Sequence, residues 1–204
     1  MSQTLKSALF VIVCLTLFSI PSTPAEEMSG QILGGSPDSP VRIEVFSDFQ
    51  CPHCRDFYLG TIKPLLQEYS SKDKVCVIYH EFPLAMHPLA REAARYTEAA
   101  AQLGQQKLLP LYDSIFTEQA QWSKDGKLEE TVSKALPYDD FLKVKSAMRE
   151  PAVNATLEKE IALGMKNNVN STPTMVIYYV GKQQKVEGLV TYTVLKQFID
   201  SIVK

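Results

Sequence analysis

Metal ligands and clustered charge are both scarce in this sequence. Its 204 residues include three histidines and four cysteines. Beyond one Cys-Pro-His-Cys segment they form no second Cys/His pair at zinc-ligand spacing. A tetrahedral zinc site takes four such ligands, so no metal is expected. Basic residues are neither in excess nor gathered into a dense run. The formal net charge is −2 and the isoelectric point is about 6.0, which gives no general attraction for nucleic acid or anionic membranes. The apolar run at 8–20 falls short of the roughly 20 residues that a membrane span needs. No internal repeat or low-complexity tract occurs. What remains is a chain with 45% hydrophobic residues, enough for an ordinary buried core.

That apolar run follows Lys6 and precedes Pro21-Ser22-Thr23-Pro24-Ala25. This is the layout of a secretory signal, with cleavage expected after Ala25; an uncleaved signal anchor is the alternative. Cys14 is disfavoured as a lipid acceptor because Val13 stands where a small residue is required. Export would place the protein where disulfides persist, in the periplasm or another extracytoplasmic space. Removing the signal leaves Cys51, Cys54 and Cys76. An odd number argues against a purely structural disulfide framework. Cys76 lies in the strand-like run Val75-Cys76-Val77-Ile78-Tyr79 and is expected to be a buried, inert thiol.

The remaining pattern is α/β. Residues 26–40, rich in glycine and proline, read as a lead-in loop. The apolar, β-branched stretch 41–47 predicts a strand. Pro52 suits the first turn of a helix, which should run to about Tyr69 with a break near Pro64. A turn at 70–73 leads to a second strand at 74–81. From His87 the period changes to helical, with Leu89, Ala93, Tyr96, Ala100 and Leu103 on one face. Further helices are predicted at 107–118, 128–136, 138–149 and 152–168. A hairpin follows, 174–180 turning at 181–183 into 184–187, and a helix at 192–203 closes the chain. The expected units are 41–86, an all-helical block at 87–168, and 169–204.

A strand feeding a helix whose first turn carries Cys-x-x-Cys is an arrangement for thiol–disulfide exchange. A c-type haem would need histidine after the second cysteine, and Arg55 is there. Together with Glu44-Val45-Phe46-Ser47, Tyr79-His80-Glu81-Phe82-Pro83-Leu84 and Ser171-Thr172-Pro173-Thr174, the Cys51-Pro52-His53-Cys54 segment resembles the DsbA-like branch of the thioredoxin superfamily. The resemblance covers essentially all of the chain after the signal.

It implies a thioredoxin-like fold with an all-helical domain inserted between the second and third strands, capping the cysteine face. It also implies an oxidase, in which Cys51 is the nucleophile and Cys54 the buried resolving thiol. His53 would help to stabilise the Cys51 thiolate. The Thr172–Pro173 bond would be cis and would present the Thr172 backbone to an extended substrate. Glu44 resembles the buried acid beneath the cysteines. However, Gln50 makes its link to Cys51 one residue longer than in many relatives, and a solvent-facing Glu44 is the alternative. No cofactor is implied. The partners would be reduced exported proteins and a membrane quinone-linked reoxidase, DsbB-like or VKOR-like; a monomer is expected. An isomerase or reductase is the rival, disfavoured because nothing before residue 41 is long enough for a dimerisation domain. The other rival is a non-catalytic chaperone with a static disulfide. Asp48, His80 and His87 are expected at the surface or in packing roles, and Phe46, Phe49, Phe57 and Tyr58 in the core.

Overall fold

The protein is described here by a computed structural model covering residues 30–203; the signal segment, its cleavage point and Cys14 lie outside the described residues. Strand β2 (Val41–Ser47) is central. It pairs in parallel with β3 (Val75–Glu81) and antiparallel with β4 (Thr174–Tyr179), giving the order β1-β3-β2-β4-β5 with β5 at Lys182–Glu187. Strand alternation sends Val41, Ile43 and Val45 into the main core, while Phe46 joins a smaller cluster on the other face.

One difference from expectation is β1 (Gln31–Gly34), which lies within the stretch read as a lead-in loop. Four residues bounded by glycines carry no usable period. They become a strand by pairing antiparallel with the edge of β3. Another lies in the helix after the cysteines. It runs as α1 (Pro52–Phe57), a π-helical turn (Tyr58–Ile62) and α2 (Lys63–Glu68). The irregularity therefore precedes Pro64, so the carbonyls that the proline ring would clash with are already displaced.

The helical insert lies between β3 and β4: α3 (Ala90–Ala101), α4 (Gln105–Thr117), α5 (Gln119–Asp125), α6 (Leu128–Ala135), α7 (Tyr138–Ala147) and α8 (Pro151–Lys166). It does not keep a core of its own. Tyr58 stacks on Phe116 of α4 and Tyr79 meets Tyr112 of the same helix edge-on, within one continuous cluster that also takes in Trp122 and Val144. On the opposite face Leu157 and Ile161 of α8 cover Phe46, Phe82 and Val176. Gly164 lets that helix approach, since a Cβ there would stand 2.5 Å from the Phe82 ring. The chain ends in α9 (Tyr192–Ile202), whose Leu195 and Ile199 return to the main core.

Candidate active site

Cys51 sits at the N-cap of α1 with extended backbone (φ −76°, ψ 121°), and Pro52 opens the helix. The Cys51 carbonyl accepts the N–H groups of Cys54 (3.1 Å) and Arg55 (3.2 Å), which winds the first turn and turns Cys54 inward. Both cysteines are reduced and buried, Cys51 at 6% exposure and Cys54 at 0%.

Their environments differ sharply. The Cys54 thiol donates to the Cys51 sulfur, and the Cys54 N–H, the Thr172 hydroxyl and the His53 N–H add to it. Together these outweigh desolvation and hold Cys51 at about 5, against the usual 9.0. Burial, and then the neighbouring Cys51, push Cys54 well above the ordinary thiol range, with the Ser47 hydroxyl and the Asp48 N–H only partly opposing. The Asp48 N–H lies 3.4 Å from the Cys54 sulfur. One sulfur is thus a thiolate and the other a thiol at neutral pH.

The Thr172–Pro173 peptide is cis, and the Thr172 carbonyl lies 3.5 Å from the Cys51 sulfur. Residues some 120 positions apart in sequence therefore meet at this sulfur. His53 is exposed at the helix start, and its resolved contribution to Cys51 is made by its backbone N–H.

Glu44 is not beneath the cysteines. Strand parity puts it on the face of Arg42 and Phe46, where its carboxylate pairs with Arg42 Nε at 3.1 Å and faces His80 Nε2 at 3.5 Å. Asp48, expected on the loop surface, is fully buried. Its two oxygens accept the N–H groups of Gln50 and Leu84 (both 2.7 Å) and face His87 Nδ1 at 2.8 Å, tying residues 84–87 to the cysteine loop. His80 and Cys76 are buried, in packing positions as expected.

A residue missed in the sequence is Gln119, at the start of α5. Its buried amide donates to the carbonyls of Phe49 (2.7 Å) and Cys51 (2.9 Å), so the insert grips the backbone that carries Cys51. Only long-range packing places it there; a polar residue in a helix of amphipathic period carries no such signal.

Comparison with known proteins agrees with this geometry. A family model described as Thioredoxin matches residues 27–201. A probable disulfide bond formation protein D from Bacillus anthracis is 26% identical over 147 residues, 70% of this chain and 67% of that protein. Among solved structures, alpha-DsbA1 of Wolbachia pipientis superposes with a TM-score of 0.71 at 16% identity, covering 85% of this chain and 90% of that one. Oxidised BdbD of Bacillus subtilis gives 0.68 at 20% identity, covering 86% and 97%. The chain belongs to the thioredoxin family, as a DsbA-like thiol–disulfide oxidoreductase.

Proposed function

We propose that the protein is an exported oxidase that introduces disulfides into reduced proteins outside the cytoplasm. The observation that carries this is the asymmetry of the pair: a buried Cys51 thiolate at about 5 beside a Cys54 thiol held protonated. A stabilised thiolate stabilises the reduced form, so the disulfide is a ready electron acceptor. In the working direction a substrate thiolate attacks Cys51 Sγ, the Cys51–Cys54 bond breaks, and Cys54 takes the electron pair and a proton. A second substrate thiolate then attacks the substrate sulfur of the mixed disulfide, and the substrate leaves oxidised with Cys51 as thiolate. Cys51 is the better leaving group of the pair, which favours this release.

The Thr172 backbone at the cis peptide is the edge where an extended substrate would pair, and His53 faces the solvent side from which it arrives. Two electrons per cycle must leave the Cys51/Cys54 dithiol. A quinone-linked membrane reoxidase, DsbB-like or VKOR-like, is the partner of matching chemistry. No cofactor is needed for the exchange itself. Export rests on the Lys6, 8–20 and Ala25 pattern.

The test is disulfide formation in a reduced, unfolded protein with two cysteines, using oxidised protein as the stoichiometric oxidant. One substrate disulfide should form per Cys51–Cys54 pair, and none with Cys51→Ser. Efficient reduction of substrate disulfides by the reduced protein, with no net oxidation, would replace this reading with a reductase.

A further inference from the structure

Cys54 must gain a proton each time the disulfide opens, and Glu44 lies on the wrong face of the sheet to supply it. Two hydroxyls stand on the right face. Ser47, at the end of β2, lies beside the Cys54 sulfur, and Tyr79 of β3 lies close to both Ser47 and Cys54. Both hydroxyl oxygens are fully buried, and neither is committed to a hydrogen bond of good geometry.

Two residues beyond Tyr79, and so on the same face of β3, is Glu81, which the parallel β2–β3 register sets directly opposite Ser47. Its carboxyl lies 2.5 Å from the Tyr112 hydroxyl of α4 and 3.2 Å from the Thr97 hydroxyl of α3. The Tyr112 hydroxyl also reaches Gln31 Oε1 (2.9 Å), and Gln31 Nε2 donates to Glu98 Oε1 (2.5 Å). Glu160 of α8 accepts the Glu81 N–H at 2.7 Å, lies beside Glu98, and has its other oxygen buried without a hydrogen-bond partner. Glu98 and Glu160 border a groove of about 320 Å³ together with Gln31, Gln105 and Thr156.

The groups facing Glu81 are therefore Glu98 and Thr97 from α3, Tyr112 from α4, Glu160 from α8, Asp48 after β2 and Tyr79 on its own strand. Three buried carboxyls in such surroundings cannot all ionise. Desolvation, its largest cause, raises Glu81 well above the carboxylate range, and it raises Glu98 and Glu160 as well.

We infer that Glu81 is the acid that exchanges the Cys54 proton, through the Tyr79 and Ser47 hydroxyls, and that the Glu98–Glu160 pair connects it to water in the groove. This rests on Cys51–Cys54 being the reacting disulfide. As the incoming thiolate bonds to Cys51 and the S–S bond breaks, its electron pair stays on Cys54. A proton then passes from the Glu81 carboxyl by way of Tyr79 and Ser47 to that sulfur. The Glu98–Glu160 pair re-protonates Glu81, and reoxidation runs the same path backwards.

Glu81 acts through Tyr79 and Ser47, so its signature is a pH profile. The rate of attack by a peptide thiol on the oxidised protein, divided by the concentration of peptide thiolate, should fall as pH rises and Glu81 loses its proton. In Glu81→Gln and in Tyr79→Phe that fall should disappear. Near neutral pH both should be slower by about a hundredfold or more, the low end of what a general acid contributes. Attack by the Cys51 thiolate of the reduced variants on an external disulfide, during which Cys54 keeps its proton, should slow far less. Persistence of the fall in both variants, its loss in Glu44→Gln, or equal slowing of the two reactions would each overturn the inference. Absence of any mixed disulfide at Cys51 in the unaltered protein would instead overturn Cys51 as the attacked sulfur, and this inference with it.

Discussion

Replacing Cys51 by serine in the reduced protein should lower its stability by an amount that depends on pH in a fixed way. The thiolate at about 5, against the usual 9.0, is a depressed acid. Its contribution is therefore fully present above 9.0 and is lost as pH falls through about 5. Between those limits the difference between reduced wild type and reduced Cys51→Ser should grow by about 1.4 kcal/mol per pH unit. It should be near zero around pH 5 and about 3 kcal/mol near pH 7. Cys54 does not blur this window, because its raised pKa keeps it a thiol throughout. The same 3 kcal/mol makes the couple about 60 mV more oxidising at neutral pH than one built from ordinary thiols. Urea titrations of both reduced proteins across the pH range, under a reducing agent, read the difference directly. A difference that stays flat with pH, or that grows toward acid, would refute the thiolate assignment.

Other consequences follow from particular contacts. Gln119→Ala should destabilise the protein by about 1–3 kcal/mol in denaturant titrations, because it strips a donor from two buried carbonyls; a loss under about 0.5 kcal/mol would contradict the grip described above. Asp48→Ala leaves the Gln50 and Leu84 N–H groups and His87 without their acceptor. It should cost about 2–4 kcal/mol and speed amide exchange around residue 84, and unchanged protection there would refute the tie. Gly164→Ala should cost about 1–3 kcal/mol by pushing its new methyl into Phe82, which a thermal melt would show as a lowered midpoint; an unchanged midpoint would mean the helix moves away freely.

Much of this architecture was legible because local chemistry and tertiary outcome agree. The β-branched run at 41–47, the Cys-Pro start of α1, the shift to helical period after His87 and the Gly181 turn each carry their own signal, and each appears in place. The parts that were not legible depend on partners remote in sequence. Strand β1 exists only because β3 offers an edge. Asp48 is buried because the N–H groups of residues 50 and 84 and the His87 ring fold over it. Gln119 acts on carbonyls some seventy residues away. Glu44 is a different kind of miss. Simple alternation along β2 already sets it apart, since Ile43 and Val45 face the cysteines' core while Glu44 shares the opposite face with Arg42 and Phe46. Pattern resemblance pointed to an acid under the cysteines, whereas the buried acid on their face of the sheet is Glu81 of β3.

The most direct test of the central claim is the reduction potential of the Cys51–Cys54 couple, measured by equilibrating purified protein with glutathione. A value near the strongly oxidising end of the family range, roughly −120 mV, is predicted for a disulfide donor. A value near about −270 mV would contradict the account and mark a reductase held reduced by its own electron source.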